Sequence, residues 1–146
     1  MAADDPFDLE RFVAAQAPAI DAVRGELRRG RKTSHWMWFV FPQLVELGNS
    51  AMAKRFGLES MAEARAYLAH PVLGPRLLEC CALLLQQPND DIEEILGHPD
   101  DLKFRSCLTL FMAVRPGEEV FRQCLERFYA GAPDQRTVVL CWKAES

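Results

Sequence analysis

The chain has 146 residues, of which 49% are hydrophobic and 26% are charged, and its formal net charge is −4 at pH 7. This length and apolar content are typical of one globular domain, residues 1–146, with a sizeable buried core. The negative charge excludes a protein that depends on a broad basic surface to bind nucleic acid or anionic lipid, and no run of about 18 apolar residues is available to cross a membrane.

The N-terminal residues and the cysteines are typical of a cytoplasmic protein. The start, MAADDPFDLERF, is acidic and lacks the basic and apolar regions of a secretory signal. The five cysteines are odd in number and show no CxxC spacing, so they predict neither a disulfide framework nor a zinc site. We therefore expect buried thiols in a reducing compartment, with no metal and no cofactor.

Apolar residues recur mainly at helical spacing, which predicts an all-α fold of about seven to nine helices. Asp8 is expected to cap the first helix, and Pro18 to begin or kink a second one that ends at Gly30. A short helix is expected at 50–56. Ser60 begins a capping-box sequence, which predicts a further helix to about residue 69.

The second half of the chain continues the helical pattern. Pro75 is suited to the first turn of a very apolar helix that we expect to be central. The last helix is expected to begin at Asp134 and to bury Val138, Cys141 and Trp142. The other helices are expected at 91–96, from about 102 to 114 with Asp100 or Asp101 as the cap, and at 118–129.

The stretch 34–43, SHWMWFVFPQ, combines large apolar side chains with polar residues at both ends. The pattern fits a helix or a strand, and in both cases large apolar groups on both sides predict burial on more than one face. The stretch is either core, with indole N–H groups bonded internally, or the lining of a small-ligand pocket. The flanking polar residues are Ser34, His35 and Gln43, preceded by Arg31 and Lys32.

The stretch 100–111, DDLKFRSCLTLF, predicts a largely enclosed helix that carries polar side chains. One interpretation pairs Lys103 with Asp100 and lets the hydroxyl groups bond to carbonyls one turn back. The other directs Asp100 or Asp101, Lys103 and Ser106 into a cavity at the helix N-terminus, where free N–H groups favour an anion. Both interpretations stay open at this point.

Four segments together resemble an uncharacterised family of small, mostly bacterial helical proteins that are often labelled calpastatin-like. They are DPFDLERF, GRKTSHWMWFVFPQ, EARAYLAHPVLGPRL and DDLKFRSCLTLF, in that order. The resemblance implies a compact multihelical domain. The architecture also looks similar to the helical NADAR proteins, which act on ADP-ribosyl and related N-glycosidic linkages. One departure from the family pattern is Cys107, where members commonly have a second serine.

The leading hypothesis is an intracellular protein that binds a small anionic metabolite of nucleotide or ADP-ribose type, with hydrolysis of an N-glycosidic or ADP-ribosyl bond as its possible reaction. The candidate ligand-binding residues are Arg31, Lys32, Ser34, Trp36, Trp38, Gln43, Lys103 and Ser106. The candidate catalytic residues are Asp100, Asp101 and His35.

Two alternatives make different predictions. A non-enzymatic protein-interaction module would have no enclosed polar pocket and would instead expose an apolar patch. Nucleic-acid binding would depend on the basic cluster 28–32, and the shortness of this cluster and the negative net charge argue against it.

Overall fold

The structure is a computed structural model that describes residues 4–145, with the side chains of 4–144. These residues form helices joined by short connections and no β-strand, apart from an isolated bridge between Leu44 and Leu58. The α-helices are α1 (Glu10–Gln16), α2 (Ile20–Arg29), α3 (Met37–Val40), α4 (Ala51–Phe56), α5 (Met61–Ala69), α6 (Leu73–Leu85), α7 (Ile92–Leu96), α8 (Asp100–Val114), α9 (Glu119–Tyr129) and α10 (Gln135–Glu145), with a 3₁₀ helix at Val45–Leu47.

The all-α prediction is confirmed, although the described residues contain ten α-helices rather than seven to nine. Several predicted ends agree because the capping side chains are local. Ser50 and Ser60 each accept a hydrogen bond from the backbone N–H three residues later, at 3.0 Å. Helix α8 begins two residues earlier than expected, at Asp100, directly after Pro99.

The predicted cap of the first helix is wrong. Asp8 adopts φ +52°, and the carboxylate that accepts hydrogen bonds from the backbone N–H groups of Leu9 and Glu10 is that of Asp5, at 2.8 and 3.0 Å. An aspartate suits an N-cap at either position. The left-handed turn at Asp8, which sequence spacing does not reveal, brings Asp5 to the helix start.

The aromatic stretch contains one short helix, and most of the large side chains in and beside this helix are buried. Helix α3 begins after Trp36, and the side chains of Trp36 and Phe41 are each 1% exposed. Trp38 is the half-buried exception, on the side that faces α8. Burial on more than one face is therefore confirmed, and of the two open choices the helix is found for residues 37–40, while residues 34–36 and 41 are neither helix nor strand.

Helix α8 lies at the centre of the packing. It contacts α5, α7, α9 and α10, and most of its residues from Phe104 to Phe111 are buried. The rings of Phe41 and Phe104 lie 4.6 Å apart, which joins the aromatic stretch directly to α8. The expected central helix, α6, packs against α2, α5 and α9.

The predicted inward face of the last helix is partly wrong. Cys141 is buried, but Val138 is 39% and Trp142 73% exposed. Thr137 is buried instead, and its N–H and hydroxyl both bond to the carboxylate of Asp134. Because that carboxylate satisfies the threonine hydroxyl, a polar residue occupies the inner face and the apolar stripe turns outward.

Within residues 4–145, no single helix is both long enough and apolar enough to cross a membrane. Helices α5 and α6 meet the length and composition criteria only as a pair, and they are bent by 83° relative to each other.

Candidate functional site

A cleft of about 430 Å³ lies between the first half of α8, the loop before α4 and the start of α10. This volume is within the range of small-ligand sites. Its lining residues are Gln43, Leu47, Gly48, Asn49, Ser50, Ala53, Pro99, Leu102, Lys103, Ser106, Asp134 and Arg136. The cleft therefore combines the polar end of the aromatic stretch with the polar face of α8.

Lys103 is held in the wall of this cleft by two groups. Its Nζ lies 3.7 Å from Oδ1 of Asp100 and 5.7 Å from the centre of the Trp38 ring. An ammonium above an indole face is attracted by the ring quadrupole. With its side chain 28% exposed, Lys103 is anchored but still reaches solvent in the cleft.

A small apolar recess adjoins the cleft and shares Lys103, Gln43 and Ala53 with it. Trp38 lines this recess, which has a volume of only about 10 Å³, roughly enough for one water molecule. A flat ring would therefore lie against the rim at Trp38 rather than enter the recess.

Ser106 is one turn further along α8 and also lines the cleft. Its hydroxyl donates to the carbonyl of Leu102 at 3.2 Å, which leaves the oxygen able to accept a hydrogen bond from a ligand. This is the backbone bond that the structural interpretation of the sequence predicted, yet the same side chain lines the cleft. The two interpretations are compatible at this residue.

Asp134 and Arg136 contribute charges that the sequence analysis did not select for the site. Oδ2 of Asp134 accepts hydrogen bonds from the backbone N–H and the hydroxyl of Thr137, at 2.9 and 2.6 Å. The guanidinium of Arg136 donates to the carbonyl of Glu46 at 3.0 Å, which ties α10 to the 3₁₀ helix. Asp134 appeared in the sequence only as a helix start, and no local signal linked it to α8.

Lys32 and Asp100 form an enclosed ion pair beside the cleft. Lys32 Nζ lies 2.8 Å from Asp100 Oδ2, and the lysine side chain is 8% exposed. The backbone N–H of Lys32 also donates to the carbonyl of Ile95 at 2.7 Å. Asp100 therefore bridges two lysines. Lys32 connects the loop before α3 to α7, and Lys103 faces the cleft.

Ser34 and Trp36 are bound to a buried carboxylate, Glu26, which sequence analysis missed. Glu26 accepts hydrogen bonds from Trp36 Nε1 at 3.0 Å, from the Ser34 hydroxyl, and from the backbone N–H groups of Thr33 and Ser34 at 2.7 and 3.0 Å. Burial alone would raise its pKa, but these hydrogen bonds outweigh burial and lower the pKa from its ordinary 4.5 to about 2. Ser34 and Trp36 are thus part of the core interactions and do not line the cleft.

The remaining predicted residues lie outside the cleft. Arg31 and His35 are exposed on the surface of the loop between α2 and α3. Asp101 is directed towards His98, whose Nδ1 lies 2.9 Å from Asp101 Oδ1. The expected convergence of His35 and Asp101 with Lys103 in one hollow is therefore not seen.

Among the described residues, one group of side chains, Glu93, His98 and Asp101, is close enough together to share a cation. One ligand atom from each lies within 4.8 Å of the others, and Glu93 and His98 are exposed. The His98–Asp101 hydrogen bond and solvation of the exposed groups account for this arrangement without a metal.

Comparisons with known proteins give two matches. The family described as "Protein of unknown function (DUF1810)" matches residues 6–141. The crystal structure of the conserved hypothetical protein Rv1873 from Mycobacterium tuberculosis is 54% identical, covers 93% of this chain and 97% of its own, and superimposes with a TM-score of 0.92. No curated protein matches. Neither match supports a calpastatin-like label or a NADAR similarity.

Proposed function

The chain belongs to DUF1810, a family of proteins of unknown function, and from this premise we propose that its cleft binds a small anionic metabolite of nucleotide or ADP-ribose type. The observation that carries the proposal is Lys103, which is held by Asp100 and Trp38 in the wall of a 430 Å³ cleft. A second cation, Arg136, lines the same cleft from α10.

The charges around Lys103 favour an anion beside it. Asp100 is already shared between Lys32 and Lys103, so this group of three side chains carries a net positive charge. Charge-assisted hydrogen bonds to phosphate are stronger than neutral ones, particularly where water is partly excluded. Gln43, Asn49 and Ser106 add neutral polar groups of the kind that orient a ligand.

The roles of the predicted residues follow from their positions. In this proposal Lys103 binds phosphate, Trp38 supports a base or sugar at the rim, and Gln43 and Ser106 provide hydrogen bonds. Asp100 and Lys32 position Lys103 and do not touch the ligand. Because His35 and Asp101 lie outside the cleft, Asp134 takes the place of the predicted carboxylates in any hydrolysis of an N-glycosidic or ADP-ribosyl bond.

The test is thermal unfolding with AMP, ADP and ADP-ribose at millimolar concentration. A ligand at 100 times its dissociation constant stabilises the folded protein by about 2.7 kcal/mol, a rise in Tm of roughly 5–10 °C for a chain of this size. We expect Lys103→Ala to weaken binding by about tenfold or more. Arg28→Ala, which removes an exposed cation at the end of α2, is the matched control.

The outcomes are distinct. Stabilisation that Lys103→Ala reduces and Arg28→Ala retains supports the proposal, and release of free adenine in the same samples would add hydrolysis of the N-glycosidic bond to it. If none of the three compounds stabilises the protein, or if Lys103→Ala responds like the wild type, the proposal is wrong.

A second candidate function, protein interaction, is favoured by a separate apolar groove. This groove has a volume of about 680 Å³ and lies between α10, α5 and the end of α8. Its lining includes Met61, Met112, Val138 and the exposed Trp142. Exposed contiguous apolar surface is typical of binding surfaces. In this case Trp142→Ser would abolish partner capture from cell extract while leaving nucleotide stabilisation unchanged. Nucleotide stabilisation without any partner capture by the wild type would favour the cleft.

A further inference from the structure

The carboxylate of Asp134 lies in the cleft with half of its hydrogen-bonding capacity unused. Both of its hydrogen bonds, from the N–H and the hydroxyl of Thr137, are made to Oδ2, and Oδ1 accepts none from the described residues. A carboxylate accepts about four hydrogen bonds through its two oxygens. Asp134 therefore has room for about two further donors, and the residue lines the cleft.

A carboxylate at this place restricts which part of an anionic ligand can lie next to it. Phosphate beside Asp134 would be repelled, because like charges at short range disfavour each other. Two hydroxyl groups would instead donate to it, as ribose hydroxyls do to the acidic residue of dinucleotide-binding sites. The ligand must then be bifunctional, with its anion at Lys103 and a pair of hydroxyls at Asp134.

The spacing along α8 fits a ligand with these two parts. Thr109, whose hydroxyl accepts the backbone N–H of Asp134 at 2.9 Å, is six residues after Lys103. At 1.5 Å per residue this places Asp134 about 9 Å from Lys103 along the helix axis. Ser106 lies between them and also faces the cleft. A ribosyl phosphate together with one hydrogen bond at each end spans a similar distance.

We infer that the cleft selects ribosyl phosphates with free 2′- and 3′-hydroxyls, which donate to Asp134 while the phosphate lies at Lys103. This inference deepens the proposed function and rests on it. It distinguishes ribonucleotides and ADP-ribose from deoxynucleotides and from inorganic phosphate, all of which would satisfy Lys103 equally well.

The test is isothermal titration of AMP and of 2′,3′-dideoxy-AMP, which differ only in the two hydroxyls. Wild type is expected to bind AMP at least tenfold more tightly. Asp134→Asn is expected to weaken AMP binding by about tenfold and to remove most of the difference between the two compounds, because the amide presents a single acceptor oxygen. Lys103→Ala is expected to weaken both compounds by a similar factor.

Folding is controlled by variants that keep the helix cap. Asn and Ser cap helices about as well as Asp, so Asp134→Asn and Asp134→Ser should both retain the wild-type circular dichroism spectrum and Tm. Ser also lacks the carboxylate. If both variants lose the preference for AMP over its dideoxy form, the preference depends on the carboxylate oxygen of Asp134 that Thr137 does not use.

Two results overturn the inference in different ways. If AMP and its dideoxy form bind wild type equally, the hydroxyl selection is wrong while anion binding at the cleft stands. If AMP does not bind, the inference is wrong, and the proposed function fails as well only when ADP and ADP-ribose also give no stabilisation.

Discussion

At the scale of single residues, Glu26 shows how a buried charge can organise a loop. Its carboxylate collects four hydrogen bonds from the segment before α3 and is 4% exposed. Removing this carboxylate leaves several buried donors unsatisfied. The resulting loss of stability is larger than the net contribution of each hydrogen bond. Ser34 and Trp36 are therefore held in place by a residue eight to ten positions earlier in the chain.

We predict that Glu26→Gln lowers the free energy of unfolding by about 3 kcal/mol at pH 7, measured by urea denaturation. The matched control is Glu79→Gln, which breaks a partly exposed ion pair with Arg24 and should cost less than about 1 kcal/mol. A loss for Glu26→Gln no larger than that of the control would contradict the structural role.

The same carboxylate predicts a pH dependence with a definite sign. Folding lowers the pKa of Glu26 from 4.5 to about 2, so its contribution to stability is present above pH 5 and is lost as the pH falls towards 2. The difference in unfolding free energy between wild type and Glu26→Gln should therefore shrink over this interval. A difference that stays constant from pH 6 to pH 2.5 would be inconsistent with the lowered pKa.

At the scale of helices, local side chains determine several boundaries. Helix α5 begins where the Ser60 hydroxyl accepts the N–H of Glu63, and the Glu63 carboxylate in turn accepts the N–H of Glu59 at 2.8 Å and pairs with Arg11 at 2.9 Å. The predicted capping box is thus present with its return bond displaced by one residue. The ion pair also ties α1 to the start of α5.

Replacement of Ser60 by Ala should destabilise the protein by about 1 kcal/mol, because one helix N–H loses its acceptor. Ser60→Asp retains an acceptor at the same position and should be close to neutral. Chemical denaturation of the two variants in parallel checks the prediction. Equal losses in both would show that the hydroxyl does something other than cap α5.

At the scale of the whole molecule, the reactivity of the cysteine thiols can be used to measure how firmly α10 is packed against the rest of the protein. None of the five cysteines forms a disulfide and all are buried, and burial raises the pKa of Cys80 to about 12 and that of Cys81 and Cys107 well above its ordinary value. Cys141 differs in position, because it is 7% exposed and lines the apolar groove beside Trp142.

For native protein treated with a thiol reagent such as DTNB, we predict that Cys141 reacts first and that the other four react only on unfolding. Cys141→Ser should remove the early phase, and the total number of thiols that react in guanidinium should be four, compared with five in wild type. An early phase that persists in Cys141→Ser would mean that a helix other than α10 opens first.

Local patterns along the chain were enough to predict the helical class, most helix boundaries and the polar residues of the aromatic stretch and of α8. These follow from periodicity and from caps that act over three or four residues, as at Ser50, Ser60 and Gly30. The sequence also selected Trp38, Gln43, Lys103 and Ser106, which the fold does bring to the same region.

Which polar residues share a surface depends on how the helices pack and could not be predicted from local patterns. Glu26 binds Ser34 and Trp36, and Asp100 is held between two lysines. His35, next to Ser34 in the chain, faces solvent instead. Asp134 and Arg136 reach the cleft only because α10 packs back against α8. Such contacts depend on how distant helices fill the space between them, and that information is not contained in the spacing of any one segment.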